Sequence, residues 1–323
     1  MAMAFRALGL WLQVSLCKAV STALAHQTYN HKPTNHKPTT TNHKPQTNNH
    51  HQQTTQPTTT SQQTPQPTAL MLSKNKIKYI HSLEQKKFRR TENAFVAEGH
   101  KSVGDLLLAG CEARIIIATD EWQCPVPLPQ HTEFISVTEE ELKKASLLLH
   151  PQQVLAVFTM PDQHTLPSNK LLEHDLCLCL DGVQDPGNLG TIIRTADWFG
   201  IKNIVCSTGT ADAYNPKVVQ ATMGSIARVR ICYTDICQWL AALPEGTPVY
   251  GTMLDGKDLY SADITSSGVI VMGNEGNGIS PEVAQLLTHR LLIPPYPADN
   301  RTAESLNVSI ATAIICAEFR RKG

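Results

Sequence analysis

The sequence predicts an α/β protein whose larger, carboxyl-terminal part is a parallel sheet with helices on both faces. From residue 174 to the end of the chain, apolar runs of strand length alternate with segments of helical periodicity. The run Asp175–Leu180 is apolar after its first residue, which is typical of a strand buried on both faces. Ligands of such sheets bind at the carboxyl ends of the strands, so the loops that follow the strands are where a functional site is expected.

A smaller α/β unit is expected over residues 71–165, followed by a linker rich in proline and polar residues. Its strands are expected at 95–97, 113–118, 133–137 and 154–159, and its helices at 76–89, 101–109 and 139–146. The segment 74–90 holds one acid, Glu84, and seven basic residues: Lys74, Lys76, Lys78, Lys86, Lys87, Arg89 and Arg90. Such a segment suits a nucleic-acid phosphate backbone, and a solvated helix face is the alternative.

The carboxyl-terminal part is expected to cover residues 173–323. Its strands are expected at 175–180, 203–206, 226–231, 249–253, 269–272 and 291–293. Its helices are expected at 188–199, 216–223, 235–242, 281–288 and 305–321. Ser280 followed by Pro281 is typical of a helix start, because proline has no N–H and its φ angle suits the first turn.

Residues 1–70 are expected to be a disordered, low-complexity tail. They contain five basic residues, no acid, and near-repeats of His-Lys-Pro, with almost no aliphatic side chains after Ala25. The first 25 residues resemble a secretory signal that ends in Ala23-Leu24-Ala25, and an organelle-targeting segment is a second interpretation. The third, which we favour, is that translation starts at Met71 and that the preceding residues are upstream sequence.

Charge and cysteine content limit the function classes. The chain has 28 basic and 28 acidic residues, and without the first 70 residues the balance is acidic, so no overall basic charge indicates a nucleic-acid partner. The nine cysteines are scattered and include no two Cys-x₂-Cys pairs. We therefore expect reduced thiols, no metal site, no membrane span and a cytoplasmic protein.

The loop after the first strand of the carboxyl-terminal part runs from Asp181 to Gly190 and ends in a helix start. Helix N-termini bind anions, so phosphate is one candidate ligand. Asn188 and Arg194 lie six residues apart, about 240° around a helix, and would contact different groups if both are functional. The alternative is that Asn188 caps the helix and that Arg194 is a surface cation.

Two further loops carry polar residues at strand ends. The loop 273–280 has three glycines in its first six residues, so a ligand can approach its backbone closely, and Glu275 lies among its amides. The last loop is stiffened by prolines after Ile293, and Ser305 and Asn307 present hydroxyl and amide groups at the start of the final helix. Turn formation and helix capping by Ser305 are the alternatives for these residues.

Together the three loops resemble those of the SpoU/TrmH family of RNA 2′-O-ribose methyltransferases. The matching runs are Asn188-Leu189-Gly190 with Arg194-Thr195-Ala196, Gly273-Asn274-Glu275-Gly276 with Gly278-Ile279, and Ser305-Leu306-Asn307-Val308-Ser309. The unit before them resembles the family's ribosomal-protein-like substrate-binding domain, through Glu98-Gly99 and the basic first helix. The stretch between Ile293 and Ser305 is longer than the common family form and lacks its glycine.

The resemblance implies a SPOUT-like parallel sheet with a deep carboxyl-terminal trefoil knot, a homodimer, and S-adenosylmethionine as the cofactor. It implies cofactor contacts at Thr252, Met253, Gly273, Ile293 and Leu306. It implies a catalytic site made of Arg194, Asn188, Glu275, Ser305 and Asn307. The implied substrate is ribosomal RNA, favoured by the additional amino-terminal domain, with transfer RNA as the alternative.

The chemistry of Arg194 leaves two roles open. A ribose 2′-hydroxyl is a poor nucleophile, so the enzyme must align it with the methyl donor and accept a proton. An arginine, with a usual pKa above ~12, needs unusual electrostatics to act as the base. Alternatively it holds the adjacent phosphate bidentately. A non-catalytic RNA-binding relative and a secreted protein are the competing functional hypotheses, and the intact site residues argue against the first.

Overall fold

The structure is a computed structural model that describes residues 72–297 and 305–322. The tail expected over residues 1–70 lies outside the described residues, as do residues 298–304 of the stretch between Ile293 and Ser305. None of the helices within the described ranges is long and apolar enough to cross a membrane.

A four-stranded mixed sheet comes first, with strand order β1-β4-β2-β3. Its strands are β1 (Ala94–Glu98), β2 (Ala113–Ala118), β3 (Glu133–Ser136) and β4 (Val154–Thr159). Strand β4 pairs antiparallel with β1 and β2, and β2 pairs parallel with β3. The helices of this part are α1 (Lys74–Ser82), α2 (Lys86–Glu92), α3 (His100–Leu108) and α4 (Glu139–Ala145). All four expected strands are confirmed.

The single basic helix expected over 76–89 is wrong, because the chain breaks between α1 and α2. Leu83 lies fully buried in the break, within the core under the first sheet. The guanidinium of Arg89 donates from Nη1 to the carbonyl oxygens of Leu83 and Glu84, at 2.7 Å each. These bonds satisfy carbonyl groups that a continuous helix would have paired with its own N–H groups.

The second sheet has six strands in the order β10-β8-β9-β5-β6-β7, and all its pairs are parallel. Its strands are β5 (Leu176–Leu180), β6 (Asn203–Ser207), β7 (Arg230–Thr234), β8 (Val249–Asp258), β9 (Gly268–Met272) and β10 (His289–Leu292). Its helices are α5 (Asn169–Leu172), α6 (Pro186–Trp198), α7 (Pro216–Thr222), α8 (Ile236–Ala241), α9 (Pro281–Ala284) and α10 (Val308–Lys322). The predicted parallel sheet is confirmed.

Helices cover both faces of this sheet, as the sequence predicts. Leu178 of β5 points into a core shared with Ile192 of α6 and Ile315 of α10. Its neighbours Cys177 and Cys179 point into a separate core with Trp239 of α8. Alternate residues of one strand therefore enter two cores, which explains why this strand is apolar throughout. Burial raises the pKa of both thiols well above the ordinary value, so both stay protonated.

Three expected boundaries in this part are wrong. The strand expected at 226–231 begins at Arg230, and a 3₁₀ turn at Ser225–Ala227 precedes it. Ile226 is buried in that turn, so its apolar character reflects packing rather than a strand. The helix expected to reach residue 288 ends at Ala284, and the last helix begins at Val308 rather than at Ser305.

Gly190 allows α6 to pack closely against α7. A Cβ at this position would lie 2.4 Å from the Cβ of Ala221 and 2.8 Å from the carbonyl oxygen of Val218. We expect Gly190→Ala to lower the free energy of unfolding by about 1–3 kcal/mol, because two packed helices must separate. Gly209→Ala is the control, since the Cβ there would meet only the Ser207 hydroxyl, at 4.0 Å. Urea denaturation measures both, and equal stabilities would contradict the expectation.

Candidate methyltransferase site

The first two site loops meet because β5 and β9 are parallel neighbours. Leu180 pairs with Met272 at the carboxyl ends of these strands, so the loops that follow leave the same edge of the sheet. The Asn274 side-chain amide donates to the carbonyl oxygen of Gly182 at 2.7 Å. The Asp181 carboxylate accepts from the backbone N–H of Ser280 at 2.8 Å. The two loops therefore form one hydrogen-bonded unit.

A chain of side-chain hydrogen bonds links all three predicted loops. Asn188 donates from Nδ2 to Oε1 of Glu275 at 3.0 Å. Its Oδ1 accepts from Nδ2 of Asn307 at 2.9 Å. Glu275 also accepts, at 3.4–3.5 Å, from the backbone N–H groups of Gln184 and Asp185. The structure thus brings together Asn188, Glu275 and Asn307, which lie far apart in the sequence.

The start of α6 leaves the Asn188 side chain available for this bridge. Asp185 is the N-cap, and its side chain accepts from the backbone N–H of Asn188 at 2.7 Å. Pro186 follows in the first turn, where its missing N–H costs nothing. The alternative that Asn188 caps the helix is therefore wrong, because Asp185 takes that position.

Asn307 has the capping role that the sequence suggested for Ser305. Its Oδ1 accepts from the backbone N–H groups of Ser309 and Ile310, at 3.0 and 3.3 Å, and from the Ser309 hydroxyl at 2.6 Å. With Oδ1 held in this way, Nδ2 is directed at Asn188. Ser305 is exposed and lies three residues before α10, so capping of this helix by Ser305 is wrong.

Arg194 lies two turns into α6 and is exposed. Among residues 72–297 and 305–322, it takes part in none of the side-chain hydrogen bonds or ion pairs that join Asn188, Glu275 and Asn307. The structure therefore places Arg194 on the same helix as Asn188 but outside the bonded chain. This agrees with the spacing argument that the two side chains contact different groups.

The residues expected to contact a cofactor lie at or beside strands of the same sheet. Strand β8 is longer than expected, but its pairing with β10 shifts between Gly251, opposite Arg290, and Lys257, opposite Leu291. Thr252 and Met253 fall in this interruption, where the strand was expected to end. The Thr252 hydroxyl faces the sulfur of Met272 at 4.0 Å.

The other three expected cofactor residues lie in the second and third loops. A Cβ at Gly273 would lie 2.2 Å from the carbonyl carbon of Gly278, so only glycine allows the two arms of this loop to approach. Ile293 is half-buried just after β10, and Leu306 is half exposed before α10. Half-buried aliphatic side chains suit contact with the apolar face of a flat ring.

Sequence reasoning missed several residues that hold the site together. Asn274 joins the loops, and its Oδ1 also accepts from the backbone N–H groups of Gly276 and Asn277, at 2.9 and 3.0 Å. Asparagine side chains commonly bond the backbone two residues further along, where Gly276 stands here, so this pattern is a signal for such a turn. Asp181 and Ser309 support the neighbouring groups and carried no distinguishing signal, whereas Asp185 before Pro186 has the same helix-start pattern as Ser280 before Pro281. In the described part of the chain, no three His, Cys, Asp or Glu residues lie close enough to hold a metal.

Comparisons with known proteins identify relatives of both parts of the chain. The SpoU rRNA Methylase family matches residues 175–317, and the MRM3-like substrate binding domain matches residues 74–156. The chain is 33% identical to the 23S rRNA (guanosine(2553)-2′-O)-methyltransferase RlmP of Bacillus subtilis, over 76% of this chain and 96% of that protein.

Solved structures of related proteins have the same fold. A candidate RNA methyltransferase of the TrmH family from Porphyromonas gingivalis is 44% identical, with a TM-score of 0.71 over 79% of this chain and all of that one. An AdoMet-bound rRNA methyltransferase from Sinorhizobium meliloti is 31% identical, with a TM-score of 0.66 over 78% of this chain and 96% of that one. The chain therefore belongs to the SpoU family of RNA 2′-O-methyltransferases.

Proposed function

We propose that this site transfers a methyl group from S-adenosylmethionine to a ribose 2′-hydroxyl of ribosomal RNA. S-adenosylmethionine would supply the methyl group and leave as S-adenosylhomocysteine, while the ribose oxygen would gain the methyl carbon and lose its proton to water. The observation that carries the proposal is the hydrogen-bonded chain Glu275–Asn188–Asn307, which holds three separate loops in one arrangement. Ribosomal RNA is favoured because RlmP acts on 23S rRNA, and RlmP is similar over nearly its whole length.

The cofactor assignment rests on the loops at the ends of β8, β9 and β10. We propose that Thr252, Met253, Gly273, Ile293 and Leu306 contact S-adenosylmethionine. Leu306 is 50% exposed, and half-buried Met253 and Ile293 add further aliphatic surface, so an adenine ring would cover apolar area that water now contacts. The AdoMet-bound structure from S. meliloti supports the same cofactor.

Among the catalytic candidates, the proposed roles follow from the bonds that each side chain makes. Asn188, Glu275 and Asn307 orient the loops and hold polar groups at the carboxyl edge of the sheet. Ser305 is exposed and offers a hydroxyl close to Asn307 in the sequence. Arg194 is exposed, so its guanidinium is free to bind the phosphate next to the target ribose with two parallel N–H groups. The phosphate then fixes the hydroxyl in line with the methyl group.

Several broader features are part of the proposal. We propose a carboxyl-terminal trefoil knot, supported by the return of the final segment, through Asn307, to the loop after the central strand β5. We propose a homodimer, because large apolar side chains are exposed on α6 and α10: Trp198 is 85% exposed and Ile310 52%. We also propose a substrate-binding domain at 71–165, a methyltransferase domain at 173–323, and a cytoplasmic location.

The exposed cations of α1 and α2 are the proposed contacts to the RNA backbone. Lys86 and Lys87 are exposed, whereas Lys76 is paired with Glu133 at 2.6 Å and is half-buried. We expect Lys86→Gln/Lys87→Gln to weaken RNA binding and to reduce the slope of log affinity against log salt by about 1–2, because two counterions fewer are released. Lys76→Gln is the control. Filter binding at several salt concentrations measures the slopes, and equal slopes would contradict the expectation.

A methyl-transfer assay tests the proposed reaction. The purified chain is incubated with methyl-labelled S-adenosylmethionine and total RNA from cells that lack the protein. The RNA is then digested to nucleosides and separated. We expect the label on a 2′-O-methyl nucleoside from the ribosomal RNA fraction. Label on a base, or no label while S-adenosylmethionine is bound, would overturn the proposal.

A further inference from the structure

Arg89 joins the two sheets through a buried ion pair. It lies on α2, beside the first sheet, and its side chain is 1% exposed. Nη2 donates to Oδ2 of Asp212 at 2.6 Å, and Asp212 follows β6 of the second sheet. This bond therefore connects the region that matches the substrate-binding family with the region that matches the methylase family.

A buried ion pair such as Arg89–Asp212 contributes little net free energy to the stability of a contact between two parts of a protein. Removing a guanidinium and a carboxylate from water costs free energy that their attraction does not reliably return. In addition, Nε of Arg89 is buried with no hydrogen-bond partner among the described residues. A well-packed apolar pair would stabilise the contact at least as well. The ion pair does fix an orientation, because Nη1 and Nη2 of the planar guanidinium bond three oxygens in one fixed arrangement.

The loop that holds Asp212 leads directly to the proposed site. The backbone N–H of Ala211 donates to the carbonyl oxygen of Val183 at 2.9 Å. The Ser207 hydroxyl accepts from the backbone N–H of Gly182, also at 2.9 Å. The carbonyl group of Val183 and the N–H group of Gly182 both belong to the loop that continues to Asn188. Asp212, which holds Arg89, is therefore the immediate chain neighbour of Ala211, which bonds directly to the site loop.

The exposed part of α2 carries the proposed RNA contacts. Lys86, Lys87 and Arg90 are exposed, while Arg89 between them is buried. The same short helix thus presents cations to solvent and is held, through Arg89, on the loop beside the site. A shift of α2 would move the bound RNA relative to the methyl donor.

We propose that Arg89 is a positioning residue for methyl transfer: it sets the placement of the RNA held by α2 relative to the loop 182–188. The proposal rests on the proposed function. It predicts that loss of the Arg89–Asp212 pair slows the transfer step itself, even where RNA and S-adenosylmethionine are both bound.

Single-turnover kinetics test this proposal. The full chain, in excess over RNA that lacks the modification, is mixed with saturating labelled S-adenosylmethionine, and the limiting rate constant is measured. For Arg89→Met we expect this rate constant to fall about 10- to 100-fold, as for small misalignments of reacting groups. The Kd for S-adenosylmethionine, measured without RNA, stays within about twofold, since no cofactor contact changes. Lys76→Met, which breaks an ion pair within the first part of the chain only, leaves the rate constant unchanged.

The limiting rate constant separates positioning from stability. A variant that is only less stable has fewer folded molecules, yet with enzyme in excess its limiting rate constant is that of the wild type. An unchanged rate constant for Arg89→Met would therefore overturn the proposal. Should Arg89→Met bind no S-adenosylmethionine, Asp212→Asn, which keeps the shape of its side chain, takes its place with the same expectation. Failure of the wild-type chain to transfer methyl groups would instead overturn the proposed function.

Discussion

Replacing Arg194 with alanine is expected to lower the rate of methyl transfer about 100- to 10,000-fold, whether the guanidinium aligns the ribose through the adjacent phosphate or accepts the hydroxyl proton. S-adenosylmethionine binding is expected to persist, because the proposed cofactor contacts lie on other loops. The fold is expected to persist as well, since Arg194 is exposed and makes no ion pair with a described residue. Single-turnover transfer and calorimetric cofactor titration measure the two effects separately.

Two further variants sharpen this result. Arg230→Ala also removes an exposed arginine, but at the amino end of β7, on the opposite edge of the sheet, so we expect activity close to that of the wild type.

Arg194→Lys separates the two roles of Arg194. If Arg194 holds the phosphate, lysine loses the bidentate geometry and the variant loses most of its activity. A base, in contrast, would keep its activity and move its optimum to lower pH, since lysine has the lower pKa. Wild-type activity in Arg194→Ala would contradict both roles.

Replacing Asn188 with aspartate is expected to lower kcat/KM about 100-fold at pH 8, the size of effect seen when one oriented site donor is lost. Asn188 donates to Glu275 at 3.0 Å, and a carboxylate there would be a second negative charge without a proton to donate. Like charges at this distance favour binding of one shared proton. The kcat/KM of the variant is therefore expected to recover partly as the pH is lowered towards 5. No such increase in kcat/KM is expected for the wild type.

Asn277→Asp is the matched control for this substitution. It adds the same charge to the same loop as Glu275, and its side chain is exposed. We expect activity close to that of the wild type at both pH values. A pH profile of kcat/KM for the three proteins gives the comparison. Equal losses in the two variants would show that charge in this loop, rather than the bond to Glu275, causes the effect.

The sequence predicts the second sheet well because its signals are local. The strand at 176–180 is apolar since both faces are covered, and the loops after β5 and β9 are marked by glycine and polar residues. Parallel neighbours then place those loops at one edge without further information. The proximity of Asn188, Glu275 and Asn307 could thus be expected, although their mutual bonds could not.

The structural features that the sequence did not predict depend on contacts between residues that are distant in the chain. The break between α1 and α2 forms where Arg89 binds the carbonyl groups of Leu83 and Glu84 while it is held by Asp212, more than 100 residues away. A hydroxyl and an amide two residues apart compete for the cap of α10, and the bond to Asn188 favours Asn307 over Ser305. Ile226 is buried in a 3₁₀ turn, where burial gives the same signal as a strand.

The most direct test of the account is a map of ribose methylation in ribosomal RNA. A 2′-O-methyl group blocks alkaline cleavage at its own nucleotide, so protected positions can be read along the whole RNA. Cells that lack the gene are compared with the same cells carrying the wild-type gene or the Arg194→Ala variant. We predict one protected position that is lost with the gene, restored by the wild type and not by the variant. An identical map in all three strains would contradict the central claim that these three loops methylate ribosomal RNA.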